Sequence, residues 1–301
     1  MVLLLVLMNV VYALLFPISK IALEYTSALF LTGFRMTLAG LLVLGYQYFF
    51  NRKAFTFPRA YWLPLAAAAF TEIYLTNILD FWGFYYMSST KSCFLYNLYP
   101  FTAAFLAYFF LSERLTKRKW LGLFIGFAGS LPMILTTTVA TEMTPVYKGF
   151  PFLPELAVIA GIITNPLGWI IIRKIICENN YNATMANGIS MFLGGLMALV
   201  HSLCVESWHP IPVANYKGFF ISSLSLMLLS NVIGNSIYVN LLVKYSVTFL
   251  SFTAFSEPLL VALLDWVFFG LKVPYAFYIS LVIVCCGLYV FYKDELSKKR
   301  G

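Results

Sequence analysis

Charge is what this 301-residue chain has least of. Only 11% of its residues are Asp, Glu, Lys or Arg, against about a quarter in a soluble domain. With 61% hydrophobic residues and a mean hydropathy of +0.84, the chain has too little polar surface to face water on every side. That excludes a soluble globular domain and makes the bilayer its solvent. Histidine is nearly missing, at two residues, and the cysteines at 93, 177, 204, 285 and 286 are few and odd in number. None of their spacings suits a zinc site, so neither a metal nor a cofactor is expected. The cysteines read as small apolar packers. A nucleotide-binding P-loop is lacking too, which argues against an ATP-driven pump. The first apolar run has neither a basic leader nor a small-residue cleavage site, so it reads as a retained helix.

What the chain does have is long apolar runs. At about 20 residues per span, they predict transmembrane helices over 2–23, 27–50, 60–83, 89–111, 119–138, 154–177, 183–205, 217–242, 247–270 and 274–292. The fold class expected is therefore an all-α membrane protein of ten transmembrane helices. Its net charge of +8 gathers after alternate helices. Arg52, Lys53 and Arg59 follow helix 2; Arg114, Lys117, Arg118 and Lys119 follow helix 4; Lys244 follows helix 8; Lys293, Lys298, Lys299 and Arg300 follow helix 10. Arg173 and Lys174 lie near the end of helix 6, while the opposite loops add little beyond Lys148, Lys217 and Lys272. This is the positive-inside pattern of a multi-pass protein with both termini in the cytoplasm. The basic surplus is read as a topology signal facing lipid, not as a nucleic-acid surface.

The chain also repeats itself. "NLYPFTAAFLAYFFL" at 97–111 aligns with "FSEPLLVALLDWVFF" at 255–269, which puts Pro100 on Pro258 and, upstream, Asn77 on Asn235. At a nearby offset Lys20 and Glu24 fall on Lys174 and Glu178. Five helices duplicated give a five-plus-five repeat of inverted topology, because an odd number turns the second copy over. The expected organisation is 1–138 as the first repeat, 139–153 as a connecting loop, 154–292 as the second repeat and 293–301 as a basic cytoplasmic tail. Inverted repeats characterise secondary transporters with midplane substrate sites and alternating access.

"FPISKIAL", the arginine of "GFRMTLAGLLVL" and "YPFTAAFLAYFFLSERLTKRKWLGLFIGFAGSL" resemble the first repeat of the EamA family of drug/metabolite transporters. The family's helix-4 proline, Ser-Glu-Arg turn and Trp-x-Gly are matched at Pro100, Ser112 to Arg114, and Trp120 to Gly122. The second copy keeps Pro258 but departs at the turn, with Gly270, Leu271 and Lys272. More narrowly, "YLTNILDFWGFYYMSSTKSCFLYNLYPFTAA" and "MANGISMFLGGLMALVHSLCVESWHPIPV" are similar to chlamydial S-adenosylmethionine/S-adenosylhomocysteine transporters. The resemblance implies a transporter in a bacterial inner membrane, taking up S-adenosylmethionine, with exchange for S-adenosylhomocysteine as one mode. An exporter of amino acids or other metabolites is the alternative within the superfamily. A monomer is expected.

Charges inside apolar runs mark the candidate site. Each costs about 2.5–3.5 kcal/mol at a helix centre on insertion scales, so each needs a partner or water. They are Lys20, Arg35, Glu72, Asp80, Lys91, Glu257 and Asp265. Glu72, Thr76 and Asp80 follow i, i+4, i+8 on helix 3, and Glu257 and Asp265 stand eight apart on helix 9. Asn77, Asn97 and Asn235 add neutral polar groups, as do Asn165 and Asn231; Tyr74, Trp82, Tyr96 and Trp169 supply ring faces that attract a sulfonium as they attract other cations. Four acids against three bases leave negative charge over, which a cationic substrate such as S-adenosylmethionine would balance. For any one acid, pairing with Arg35, Lys20 or Lys91 is the structural alternative. Lys91 reads either as snorkelling to water or as holding a substrate carboxylate. Pro100 and Pro258 are the candidate hinges, with a static kink as the alternative; Gly122, Gly126 and Gly129 form a small-residue seam on helix 5. An enzyme is not expected: Asp80 and Asp265 lack the Gly-x-Gly-Asp signature of an intramembrane aspartyl protease, whose dyad must share a proton.

Overall fold

The computed structural model describes residues 2–87, 92, 95–113, 115–136, 149–150, 152–209, 211–269 and 275–297, with the side chains of Lys20, Pro17, Pro258 and Asp265 among those left out. Lys91, Cys93 and the Gly270–Lys272 turn lie outside the described residues. The helices fall into ten tracts. The first is Val2–Ala13 and Leu15–Leu23, and the second is Ala28–Phe50. The third runs from Trp62–Ala68 through a π-helical turn, Ala69–Leu75, into Thr76–Tyr86. Tyr99–Leu111 and Lys117–Thr136 are the fourth and fifth. In the second half the order is Leu153–Asn179, then Ala183–Val205. The eighth runs Tyr216–Leu226, π-helical Met227–Gly234, then Asn235–Leu242. The ninth is Val247–Thr253, a 3-10 turn at Ala254–Ser256, then Glu257–Phe269; Tyr275–Ser297 is the tenth. No strand occurs among the described residues, only an isolated bridge between Thr26 and Val213.

By length and composition, Ala28–Phe50, Arg59–Tyr86, Leu153–Asn179, Ala183–Val205 and Tyr216–Leu242 are long and apolar enough to cross a membrane. Leu3–Ala13, Tyr99–Leu111, Val247–Ser256 and Tyr275–Phe291 are shorter apolar helices. The outward surface is apolar, as lipid requires: Leu3, Phe49, Phe50, Leu63, Phe109 and Tyr275 are all exposed. Cys177, Cys204, Cys285 and Cys286 are free thiols on this exposed surface, so they do not pack the core as their apolar context suggested. The last helix continues to Ser297, into the stretch read as a tail.

Packing follows the repeat. The second tract packs on the seventh, and the fifth on the tenth; each pair joins equivalent helices of the two halves. Contact of the third tract with the sixth has its counterpart in the eighth with the first. Fourth-with-sixth is matched by ninth-with-first, and third-with-seventh by eighth-with-second. These contacts are their own image when the halves are exchanged. The π turns obey the same rule, since Ala69 and Met227 are separated by the interval that relates Pro100 to Pro258.

Both repeat-related prolines sit in the first turn of a helix, Pro100 in Tyr99–Leu111 and Pro258 in Glu257–Phe269. A first-turn proline breaks no helical hydrogen bond. The interior kink expected of a helix running 89–111 is therefore not observed at Pro100. Just ahead of each the α-helix is interrupted, by the turn at Asn97 and Leu98 and by the 3-10 turn at Ala254–Ser256.

The glycine seam on the fifth tract lets two backbones touch. A Cβ at Gly287 would stand 2.9 Å from the Gly126 nitrogen and 3.1 Å from the Gly122 oxygen, atoms that cannot step aside. Gly287→Ala therefore costs about 1–3 kcal/mol through overpacking, read as a lower thermal midpoint of the purified protein. Gly45→Ala, where nothing lies within 4 Å, gains up to about 1 kcal/mol of helix propensity instead. Equal shifts in the two variants would show that this close approach is not what holds the tracts together.

Candidate functional site

One cavity lies between the halves, lined from the first, second, third, fourth, sixth, eighth and ninth tracts. It admits the centres of water molecules over about 190 Å³. A single water needs roughly 10–15 Å³ on that measure, so this is a chamber rather than a packing defect. The two π turns form its polar walls. A π turn widens the helix by one residue per turn and leaves carbonyls poorly covered. Here the Thr76 hydroxyl donates to the Thr71 carbonyl at 2.8 Å, and the Asn77 amide donates to the Ile73 carbonyl at 2.7 Å. From the first half Glu72, Thr76, Asn77 and Asp80 face the cavity; Ser230, Asn231, Asn235 and Tyr238 face it from the second.

Arg35, 3% exposed, is the cation of the cavity among the described residues. Its guanidinium donates to the Asn77 oxygen and, at 3.1 Å, to the Asn231 oxygen, while its carbon sits 4.9 Å from the centre of the Phe81 ring. It is thus held by amides from both halves and a ring face, not by a carboxylate. Glu72 and Asp80 are 4% and 5% exposed, and no cationic side chain lies within 4.0 Å of either among the described residues. Asp80 accepts a hydrogen bond from the Tyr96 hydroxyl on one oxygen; its other oxygen, and one oxygen of Glu72, have no hydrogen-bond partner. Glu257, at the start of its helix, also lines the cavity. No acid pairs with Arg35 at ion-pair distance among the described residues, while pairing with Lys20 or Lys91 falls on groups outside the description.

Two glycines of the sixth tract make room for these acids. A Cβ at Gly161 would run into the Asp80 carboxylate, and one at Gly168 into the Glu72 side chain. Seven residues apart, they share one helix face and lie about 10 Å apart along the axis. The acids occupy those two levels.

Of the residues expected at the site, Arg35, Glu72, Asn77, Asp80, Tyr96, Asn97, Trp169, Asn235 and Glu257 line the cavity together. Trp169 packs on Tyr238 with ring centres 4.3 Å apart. Tyr74 and Trp82 do not line it. Tyr74 bonds His201 of the seventh tract at 2.9 Å, and Trp82 meets Tyr86 edge to face. Lys20 and Asp265 sit on helices with side chains outside the description, and Lys91 lies outside the described residues. Tyr12, Tyr99 and Tyr238 were missed. Tyr12 donates to Asn235 at 3.1 Å and Tyr99 to Asn165 at 3.0 Å. The repeat could have found two of them, since the interval from Pro100 to Pro258 also carries Asp80 onto Tyr238 and Tyr99 onto Glu257.

At the end of the molecule where the fourth and sixth tracts finish, Glu113 and Arg173 form an ion pair between the halves, and the Tyr181 hydroxyl donates to the Thr56 carbonyl at 2.7 Å. At the other end the Thr26 hydroxyl donates to the Pro212 carbonyl at 2.7 Å and the Ala214 N–H to the Tyr25 carbonyl at 2.8 Å.

The sequence pattern of the EamA-like transporter family matches the chain twice, over residues 1–135 and 153–293. An S-adenosylmethionine/S-adenosylhomocysteine transporter of Chlamydia muridarum is 34% identical over 285 residues, 94% of this chain and 88% of the relative. Transporters of the same name from two Chlamydia trachomatis serovars are 33% identical over 285 residues, 94% of this chain and 86% of theirs. A protein of known crystal structure, 13% identical, superimposes with a TM-score of 0.77 over 98% of this chain and 97% of its own, which shows a shared fold.

Asn231→Leu tests the guanidinium's anchorage. It keeps bulk and removes one of the two amide oxygens on Arg35, which costs about 1–3 kcal/mol for a charged group left short of a partner. A lower thermal midpoint of the purified protein is expected. No shift would show that Arg35 does not depend on the second half.

Proposed function

Because the chain belongs to the EamA-like transporter family, we propose that it carries S-adenosylmethionine across the membrane by alternating access, in exchange for S-adenosylhomocysteine. It is a multi-pass membrane transporter and not an enzyme. The observation that carries the substrate reading is the charge of the cavity: three carboxylates, Glu72, Asp80 and Glu257, against the one guanidinium of Arg35 among the described residues. Taking ions out of water costs several kcal/mol each unless they are compensated. S-adenosylmethionine brings a sulfonium and an ammonium against one carboxylate, a net positive charge. The relatives' names point the same way.

In this reading residues 1–138 and 154–292 are the inverted units that rock about the cavity, joined by 139–153, with 293–301 as the cytoplasmic tail. Self-imaged packing and the twofold family match support it. The interruptions ahead of Pro100 and Pro258 are the candidate hinges of the fourth and ninth tracts. The basic residues after alternate helices favour both termini in the cytoplasm; a bacterial inner membrane and a monomer complete the reading. Lys20, Lys91 and Asp265 remain candidates for the cavity's further charges.

Uptake of labelled S-adenosylmethionine by cells producing the protein tests the reading. Saturable uptake, competed by S-adenosylhomocysteine and not by free amino acids, is expected. Stronger competition by an amino acid would favour an amino-acid carrier instead. Neutral replacement of at least one acid, Glu72→Gln, Asp80→Asn or Glu257→Gln, should weaken S-adenosylmethionine by roughly ten- to hundredfold, the value of a charge-assisted contact. If all three variants reach the membrane and transport normally, the acids are structural.

A further inference from the structure

Resting on that substrate reading, we propose that the cavity is divided into two subsites and that Asp80 is the residue that tells S-adenosylmethionine from S-adenosylhomocysteine. The two molecules share an amino-acid head and an adenosine and differ by one methyl group, hence by the sulfonium charge. A site that separates them must set an uncompensated negative charge beside the sulfur. It must also hold the common head elsewhere.

The level of Glu72 carries both signs. Asn77, whose amide bonds the Ile73 carbonyl at 2.7 Å, accepts from Arg35, so the guanidinium is anchored on the turn that bears Glu72. A carboxylate and a guanidinium together complement the ammonium and carboxylate of an amino-acid head. The level of Asp80 carries one sign. Its partner is the neutral hydroxyl of Tyr96, its other oxygen has none, and no cation stands there among the described residues.

The spacing fits. Gly168 under Glu72 and Gly161 under Asp80 put the two levels about 10 Å apart along the sixth tract. Four bonds separate the amino nitrogen from the sulfur, a reach of about 5 Å, and a contact of about 3 Å at each end brings the total to about 11 Å. Beyond the sulfur, the faces of Phe84 and Tyr96, ring centres 5.8 Å apart, offer the adenine its stacking wall at the Asp80 level. The second half supplies no duplicate, because the repeat carries Glu72 onto Ser230 and Asp80 onto Tyr238. A ligand therefore enters one way round.

Equilibrium binding to the purified full-length protein decides it, with S-adenosylmethionine, S-adenosylhomocysteine and sinefungin, which carries an amine in place of the sulfonium. Asp80→Asn should weaken S-adenosylmethionine and sinefungin by roughly ten- to hundredfold and leave S-adenosylhomocysteine within about twofold. Glu72→Gln should weaken all three alike, by roughly tenfold or more. Asp80→Glu, which keeps the charge, should retain the preference, and its thermal midpoint, with that of Asp80→Asn, separates misfolding from lost recognition. Equal weakening of both nucleosides by Asp80→Asn would overturn the assignment, as would loss of the preference in Glu257→Gln instead. A wild-type protein that binds neither nucleoside would bring down the substrate reading itself, a different result from either.

Discussion

The guanidinium of Arg35 has to be kept charged, or nearly so, in the middle of a protein surrounded by lipid. Much else follows from how that is done. Its hydrogen bonds come from other helices, through the amides of Asn77 in one half and Asn231 in the other. Those amides reach it because each lies at a π turn, where the widened helix turns polar residues inward. The same turns bring Glu72 and Ser230 to the chamber. One buried cation thus ties the halves together at the place where a transporter needs a polar path.

Glycine performs the matching task for the anions. Gly161 and Gly168 remove the side chains that would otherwise occupy the space of Asp80 and Glu72. Packing of the third tract on the sixth is close because of them, and the acids are buried because packing is close. The cost of burying those carboxylates is left open by the protein itself, with oxygens of both Glu72 and Asp80 unpartnered.

Much of this was legible in the sequence. Residues such as Glu72, Asp80 and Arg35 stand out because charge is costly in an apolar run, and twelve of the residues so marked or grouped with them meet in the cavity. The ten tracts and the repeat were legible because hydropathy and Pro100–Pro258 spacing are local or linear signals. Tyr74 and Trp82 were not placed correctly, since a chain that is 18% aromatic gives a ring no direction. The π turns were invisible for another reason. They arise from which helices press on Ala69–Leu75 and Met227–Gly234 in the folded bundle, not from any residue type confined to those segments.

Both ends of the molecule carry neutral hydrogen bonds between the halves, and one end adds an ion pair. Glu113 and Arg173, with side chains 21% and 22% exposed, meet as ions at one end, whereas the described contacts at the other are hydrogen bonds between neutral groups. Dissolved salt screens the first kind and leaves the second nearly untouched, over a Debye length of about 8 Å at physiological ionic strength. The end that carries the ion pair is therefore the one whose contacts weaken as the electrolyte around it becomes more concentrated.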